Sequence, residues 1–132
     1  NGLLFLCVAN SSRSQMAEGF ARRMAPPELE IFSAGSKPTS INSMAITVMN
    51  EVGIDLSKHY SKSIDDIPQR RIGSVITLCA EEVCPFFLDD VQKQHWLFED
   101  PAAATGTAED VLAIFRQVRD RINEALIKYF SV

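Results

Sequence analysis

The sequence lacks what a membrane or secreted protein needs. No apolar run approaches the roughly 20 residues that span a bilayer. No basic stretch leads into an apolar signal segment either, so no membrane partner is expected. The chain starts with Asn1 rather than Met, which suggests a processed or altered start, and a strand pattern begins almost at once. Positive charge is also short: 13 Lys and Arg face 17 Asp and Glu, for a formal charge of −4 and a pI of about 5.1. That balance argues against nucleic acid as a partner. An acidic protein can still bind an anion, but only in a local, preorganised site. Cysteine is scarce too, with three in 132 residues. An odd number without a secretory signal argues against a static disulfide framework and for reduced, chemically used thiols in a cytoplasmic setting.

What is present suits one domain over residues 1–132, with 46% hydrophobic and 23% charged residues. Leu3 to Val8 is an apolar run without alternation, as in a buried parallel strand. Small polar residues follow, and a helical pattern opens at Ser14, carried by Met16, Phe20 and Met24 and stopped by Pro26 and Pro27. Leu29 to Phe32 reads as a second strand. A second helix runs from about Asn42 to Val52, with Ala45, Val48, Met49 and Val52 inward and Gly53 at its end. Ile72 to Leu78 reads as a third strand and Trp96 to Phe98 as a short fourth. In the last helix Val111, Phe115, Val118, Ile122, Ala125 and Tyr129 form an apolar stripe, with Arg116, Arg119, Asp120 and Lys128 off it. Strands alternating with helices imply an α/β fold, a four-stranded parallel sheet with helices on both faces. Ligands of such sheets sit beyond the carboxyl ends of the strands. Cys7, Ser33, Cys79 and Asp100 all fall at or just after expected strand ends.

The central feature is Cys7-Val8-Ala9-Asn10-Ser11-Ser12-Arg13, a Cys and an Arg separated by five residues where a strand turns into a helix. Small residues at such a junction can aim successive backbone N–H groups at one centre, an anion nest. The helix from Ser14 adds its positive end. Arg13 can clamp two oxygens of a tetrahedral anion, and the same field favours a nucleophilic Cys7 thiolate. Ser14 is placed to donate to that thiolate. A bare Cys-x5-Arg pattern is more often a strand-ending cysteine and a surface arginine; here strand, loop and helix agree on function.

Cys7 to Gly19, CVANSSRSQMAEG, resembles the phosphate-loop signature of the low-molecular-weight protein tyrosine phosphatases and their arsenate reductase relatives. Ser14 to Gly19 leans towards the reductases. Further matches are Phe32 to Gly35, Glu51 to Asp55, Val75 to Cys79, and His95 to Pro101, so the resemblance spans essentially the whole chain. It implies the low-molecular-weight phosphatase fold and Cys7 as nucleophile. In the thioredoxin-coupled reductases, the positions matching Cys79 and Cys84 carry a relay. Cys79 would attack the Cys7–arsenic adduct at sulfur, and Cys84 would move the disulfide to Cys79–Cys84 for thioredoxin or a similar thiol reductant. Those reductases often place six residues between the two cysteines; here four intervene, Ala80 to Val83. Buried structural thiols are one alternative. Zinc is another, although the Cys-x4-Cys spacing has no second ligand pair.

Asp100-Pro101 follows the fourth strand, and a carboxyl there can act as general acid; a turn-initiating Asp is the competing reading. Phosphatases of the family typically carry a Tyr next, whereas Ala102 and Ala103 follow here. An alanine-lined mouth suits a small inorganic anion, arsenate with phosphate or sulfate as mimics. Some reductases of this type bind potassium through residues matching Asn10, Glu18, Ser33 and a further Asp, whose position Lys62 takes here. The Lys62 ammonium is expected to replace the cation, pairing with Glu18 and bracing Asn10; a solvated loop charge is the alternative. Ser12 stands where a Cys is frequent, which removes any redox pair within the loop. His59 and His95 are read as structural. No cofactor, metal or second copy is expected. Arsenate reduction is the leading function. A phosphatase working through a Cys7 phosphocysteine is the alternative, and a non-catalytic oxyanion-binding or thiol-sensing module is the third reading.

Overall fold

Among the described residues four parallel strands lie in the order β2-β1-β3-β4: β1 is Gly2–Cys7, β2 Glu30–Gly35, β3 Ile72–Thr77 and β4 Gln92–His95. The computed structural model describes residues 1–78 and 91–131, so Cys79 and Cys84 lie outside the described residues. Three long helices, α1 (Arg13–Met24), α2 (Ser43–Glu51) and α3 (Ala108–Phe130), pack on one another and on one face of the sheet. The other face is packed by Ile64 and Ile67, beside the short 3-10 helices Ile64–Asp66 and Gln69–Arg71.

β1 is buried along its length because it has a packed layer on each side: Leu3 and Phe5 face the helices, Leu4 and Leu6 the other layer. The chain leaves β1 towards β2 on one side and later returns to β3 on the other. The crevice where strand order reverses therefore opens at the carboxyl ends of β1 and β3. Cys7 is the last residue of β1.

The helix ends follow local chemistry. α2 is capped by Asn42, whose side chain accepts from the Met44 N–H, and ends at Gly53 in the left-handed region with φ 81°. The N–H groups of Gly53 and Ile54 return to the carbonyls of Asn50 and Met49, which satisfies two orphan acceptors. α3 opens with a capping box between Thr107 and Asp110. α1 differs: Ser12 makes no side-chain cap and no acid stands in the first turn. The positive end of that helix is thus not neutralised by its own sequence.

Two expectations need correction. The fourth strand lies at Gln92–His95, before the apolar residues expected to form it, and all four of its side chains are exposed. It is a polar edge strand held by main-chain pairing to Ser74–Thr77. Trp96 and Phe98 instead turn into the helical core, edge to face at 6.4 Å. Arg119, expected off the apolar stripe of α3, is buried, and its guanidinium donates to the Val48 carbonyl and to Glu51 and Asp120. The helix spends one inward position tying α3 to the end of α2. Elsewhere the strand and helix bounds shift by a few residues; β2 runs on to Gly35, so Ser33 lies inside it, opposite Phe5.

Candidate active site

The loop from Cys7 to Arg13 is held from outside by its carbonyls. Those of Val8, Ala9 and Ser11 accept the main-chain N–H groups of Lys37, Thr39 and Asn42, and that of Ser12 accepts from Met16. The Asn10 carbonyl takes the Ser61 hydroxyl at 2.7 Å. Carbonyls turned outward leave the N–H side of the peptide planes on the concave side, with Cys7 at its rim. Asn10 sits at φ 51°, a left-handed conformation that makes the turn tight. Gly35 lets the strand beside it approach. A Cβ there would overlap the Val8 carbonyl and lie 2.9 Å from the Asn10 nitrogen.

Within the loop, Ser14 Oγ is 2.9 Å from Cys7 Sγ, and Cys7 is only 3% exposed. Asn10 Nδ2 donates to Ser14 Oγ at 2.7 Å. Since Ser14 Oγ already accepts there, its own hydrogen is free to turn to the sulfur. Arg13 is buried, and its Nη1 donates to the carbonyls of Leu78 (3.1 Å) and Phe98 (3.0 Å). Its Nη2 lies 3.8 Å from Asp100 Oδ2. The other carboxylate oxygen of Asp100 accepts from the Ala102 N–H at 3.0 Å, so the residue starts a short 3-10 helix and also faces the arginine. The turn-initiating reading of Asp100 holds, and its second carboxylate oxygen also faces the arginine. Ser12 Oγ is buried without a hydrogen-bond partner among the described residues.

Glu18, Ser33 and Lys62 meet behind the loop. Ser33 donates to Glu18 Oε1, the Lys62 ammonium stands 3.6 Å from the same oxygen, and Arg22 Nε donates to Oε2 at 2.8 Å. Burial pushes the Glu18 carboxyl up, but the Ser33 hydroxyl and the charges of Lys62 and Arg22 outweigh it and hold Glu18 below its ordinary value. Burial pulls the Lys62 ammonium below its usual range, with Glu18 opposing. Asn10 Oδ1 is braced by the Lys62 main-chain N–H, which donates to it at 2.8 Å, rather than by the ammonium expected there. Its ammonium caps the Tyr60 carbonyl instead, at 2.9 Å.

The structure thus brings together Cys7, Asn10, Ser12, Arg13 and Ser14 with Asp100, and places Glu18, Ser33 and Lys62 behind them. Reading the sequence missed Gln15, Ser61 and the carbonyls of Leu78 and Phe98, and left His59 outside the site. Only Gln15 carried a signal, as a polar residue in the first helical turn that the structure buries completely. Main-chain partners leave no trace in side-chain types.

The family model of the low molecular weight phosphotyrosine protein phosphatases matches residues 2–132. The chain belongs to that family. Its curated relatives in this phosphatase family include an arsenate reductase of Halalkalibacterium halodurans, 42% identical over 131 residues, covering 98% of this chain and 94% of that protein. One of Bacillus subtilis is 42% identical over 129 residues, covering 96% and 93%. Among solved structures, an arsenate reductase in a phosphate-binding state superposes with a TM-score of 0.80 at 31% identity, covering 98% and 96% of the two chains. Among the described residues no group of three or more His, Cys, Asp or Glu could hold a metal, and no helix is long and apolar enough to cross a membrane.

Proposed function

We infer that this chain reduces arsenate to arsenite, as the names of its curated relatives indicate for those proteins. The observation that carries the reading is the site itself. A buried cysteine faces a hydroxyl poised to donate, beside an uncapped helix start and an arginine paired with a carboxylate. The Cys7 thiolate attacks arsenic; one oxygen leaves as water with a proton from Asp100, giving a Cys7 thioester of arsenate. Cys79 then attacks the Cys7 sulfur. The S–S bond forms as the S–As bond breaks, and its electron pair leaves on arsenic, which departs as arsenite. Cys84 attacks Cys79 and frees Cys7, and a dithiol such as thioredoxin reduces the Cys79–Cys84 disulfide. A solved relative from Corynebacterium glutamicum, 28% identical with a TM-score of 0.70, is named thioredoxin-dependent; this chain covers 61% of it. The proposal includes a single catalytic domain and a reducing, cytoplasmic setting that keeps the three thiols usable.

Arsenate turnover with thioredoxin, run beside p-nitrophenyl phosphate hydrolysis, tests the relay. Cys79→Ser and Cys84→Ser are each expected to lose steady-state arsenate reduction and keep hydrolysis, which needs only the loop. Full reduction by either variant would overturn the relay.

The residues beside the loop do not suit potassium. Asn10 Oδ1 already accepts from Lys62 N–H and Gln15 Nε2, the Ser33 hydroxyl is spent on Glu18, and an ammonium stands beside Glu18. Lys62 serves in place of the cation. Titration with potassium chloride against sodium chloride at equal ionic strength is expected to leave kcat and KM unchanged; clear stimulation by potassium alone would refute this.

A further inference from the structure

Beside the edge strand β2 lies a cavity of about 500 Å³ that the chemistry above does not use. It opens between α1, the Phe32 ring and the segment 58–62, and neither Arg13 nor Asp100 lines it. Sites for small organic ligands have volumes of about 300–1,000 Å³, so it is large enough for one. Its wall holds three permanent cations, Arg22, Lys58 and Lys62, against the single carboxylate of Glu18.

That balance runs against the chain as a whole, whose formal charge is −4. The Glu18 oxygens are already committed. Ser33 donates to Oε1 with the Lys62 ammonium 3.6 Å away, and Arg22 Nε donates to Oε2. One carboxylate offsets one cation, which leaves an excess of positive charge over the cavity. Lys58 makes no hydrogen bond or ion pair among the described residues, and its charge acts at longer range on Asp55. Burial holds the Lys62 ammonium below its usual range, so a further anion beside it is stabilising.

The same cavity carries an aromatic ring on a fixed base. Tyr60 is 68% exposed, yet its carbonyl accepts from Gln15 Nε2 and from the Lys62 ammonium, both at 2.9 Å. The next residues are pinned as well: the Ser61 hydroxyl donates to the Asn10 carbonyl, and the Lys62 carbonyl accepts the Gly35 N–H. The Lys62 ammonium also stands 4.9 Å from the Tyr60 ring centroid. A ring held in place this way loses little freedom when another ring stacks on it.

We propose that this cavity binds a phosphate ester of a flat ring, of the nucleoside monophosphate class, with the ring on Tyr60 and the phosphate among Arg22, Lys58 and Lys62. A phosphate monoester carries a charge of about −2 near neutral pH, which matches the excess of cations. Because the catalytic loop does not line the cavity, the site stands whether or not Cys7 is the nucleophile.

Adenosine monophosphate is the probe, and the catalytic loop must be closed to it. In a Cys79→Ser, Cys84→Ser background, Cys7 is alkylated with iodoacetamide so that the adduct fills the anion nest. Calorimetry should then find one saturable site. Ribose 5-phosphate lacks the ring and adenosine lacks the phosphate, so each should bind at least about tenfold more weakly, the worth of one stacked base or one charged hydrogen bond. Lys58→Gln and Tyr60→Ala should each weaken adenosine monophosphate by a similar factor, while p-nitrophenyl phosphate hydrolysis by the unalkylated variants stays at the wild-type rate. Tyr60→Phe should keep the affinity.

The two histidines give a second readout. His59 lines the cavity; burial lowers its pKa, Glu18 and Asp55 oppose, and Lys62 and Arg22 add to the lowering. A bound phosphate should move the His59 ring signals in NMR spectra and make them titrate at higher pH. His95, on the opposite edge strand, should not respond. Absence of saturable binding to the blocked protein, or unchanged affinity in Lys58→Gln, would overturn the site. Equal affinity for ribose 5-phosphate and adenosine monophosphate would overturn the stack on Tyr60.

Discussion

Cys7→Ser should abolish both arsenate reduction and p-nitrophenyl phosphate hydrolysis, with loss on the order of 10⁴-fold or more, while phosphate binding persists. Removing the nucleophile of a unit that acts together typically costs this much. A serine in the same place has the anion nest around it, the Ser14 hydroxyl at its side and the arginine opposite, but a hydroxyl holds its proton far more tightly than a thiol. The field that favours a thiolate does not suffice for an alkoxide. The remaining loop still offers its N–H groups and Arg13, so calorimetry should find phosphate bound within a few fold of the wild type. Measurable turnover of either substrate by the pure variant would remove Cys7 from the centre of the scheme. Loss of binding along with activity would mean that the loop had collapsed rather than lost its nucleophile.

Arg13→Lys carries the second largest effect. Arginine here does two tasks through different nitrogens. Nη1 ties the loop to the carbonyls of Leu78 and Phe98, and Nη2 faces Asp100, on the side where the proposed function puts the anion. An ammonium is a point charge without the planar fork and cannot satisfy both directions at once. We expect kcat/KM to fall about 10²–10³-fold for both substrates, the usual cost of losing a donor aimed at developing charge. The melting temperature should also drop by a few degrees, because two carbonyls beside the buried guanidinium lose their donor. Near-wild-type kcat/KM in Arg13→Lys would show that charge alone, not geometry, serves the anion.

How much of this was legible in the sequence depends on what kind of partner each residue found. β1 and α1 were plain because Leu3 to Leu6 and Met16 to Phe20 bury side chains in the regular periods of strand and helix. The junction between them could be read for the same reason, since the small residues Ala9 to Ser12 fit only a turn. β4 was not legible, because Gln92–His95 buries no side chain and joins the sheet by main-chain pairing. The apolar residues that drew attention, Trp96 and Phe98, belong to the core rather than to the strand. Arg119 was misplaced because charge at a helical position was taken for exposure, when two partners on α2 make its burial affordable. His59 and Gln15 entered the site through contacts 44 residues apart in sequence, a distance that no local pattern spans.

Arg13 also has a bearing on the sheet. Its Nη1 holds the Leu78 carbonyl, and the Leu78 N–H is tied to Leu6, so the residue that precedes Cys79 is anchored from both sides. The chain is fixed again at Gln92, paired with Ser74 on the neighbouring strand. Loss of the guanidinium would therefore loosen the end of β3 as well as the loop, so one side chain couples the two strand ends that frame the crevice.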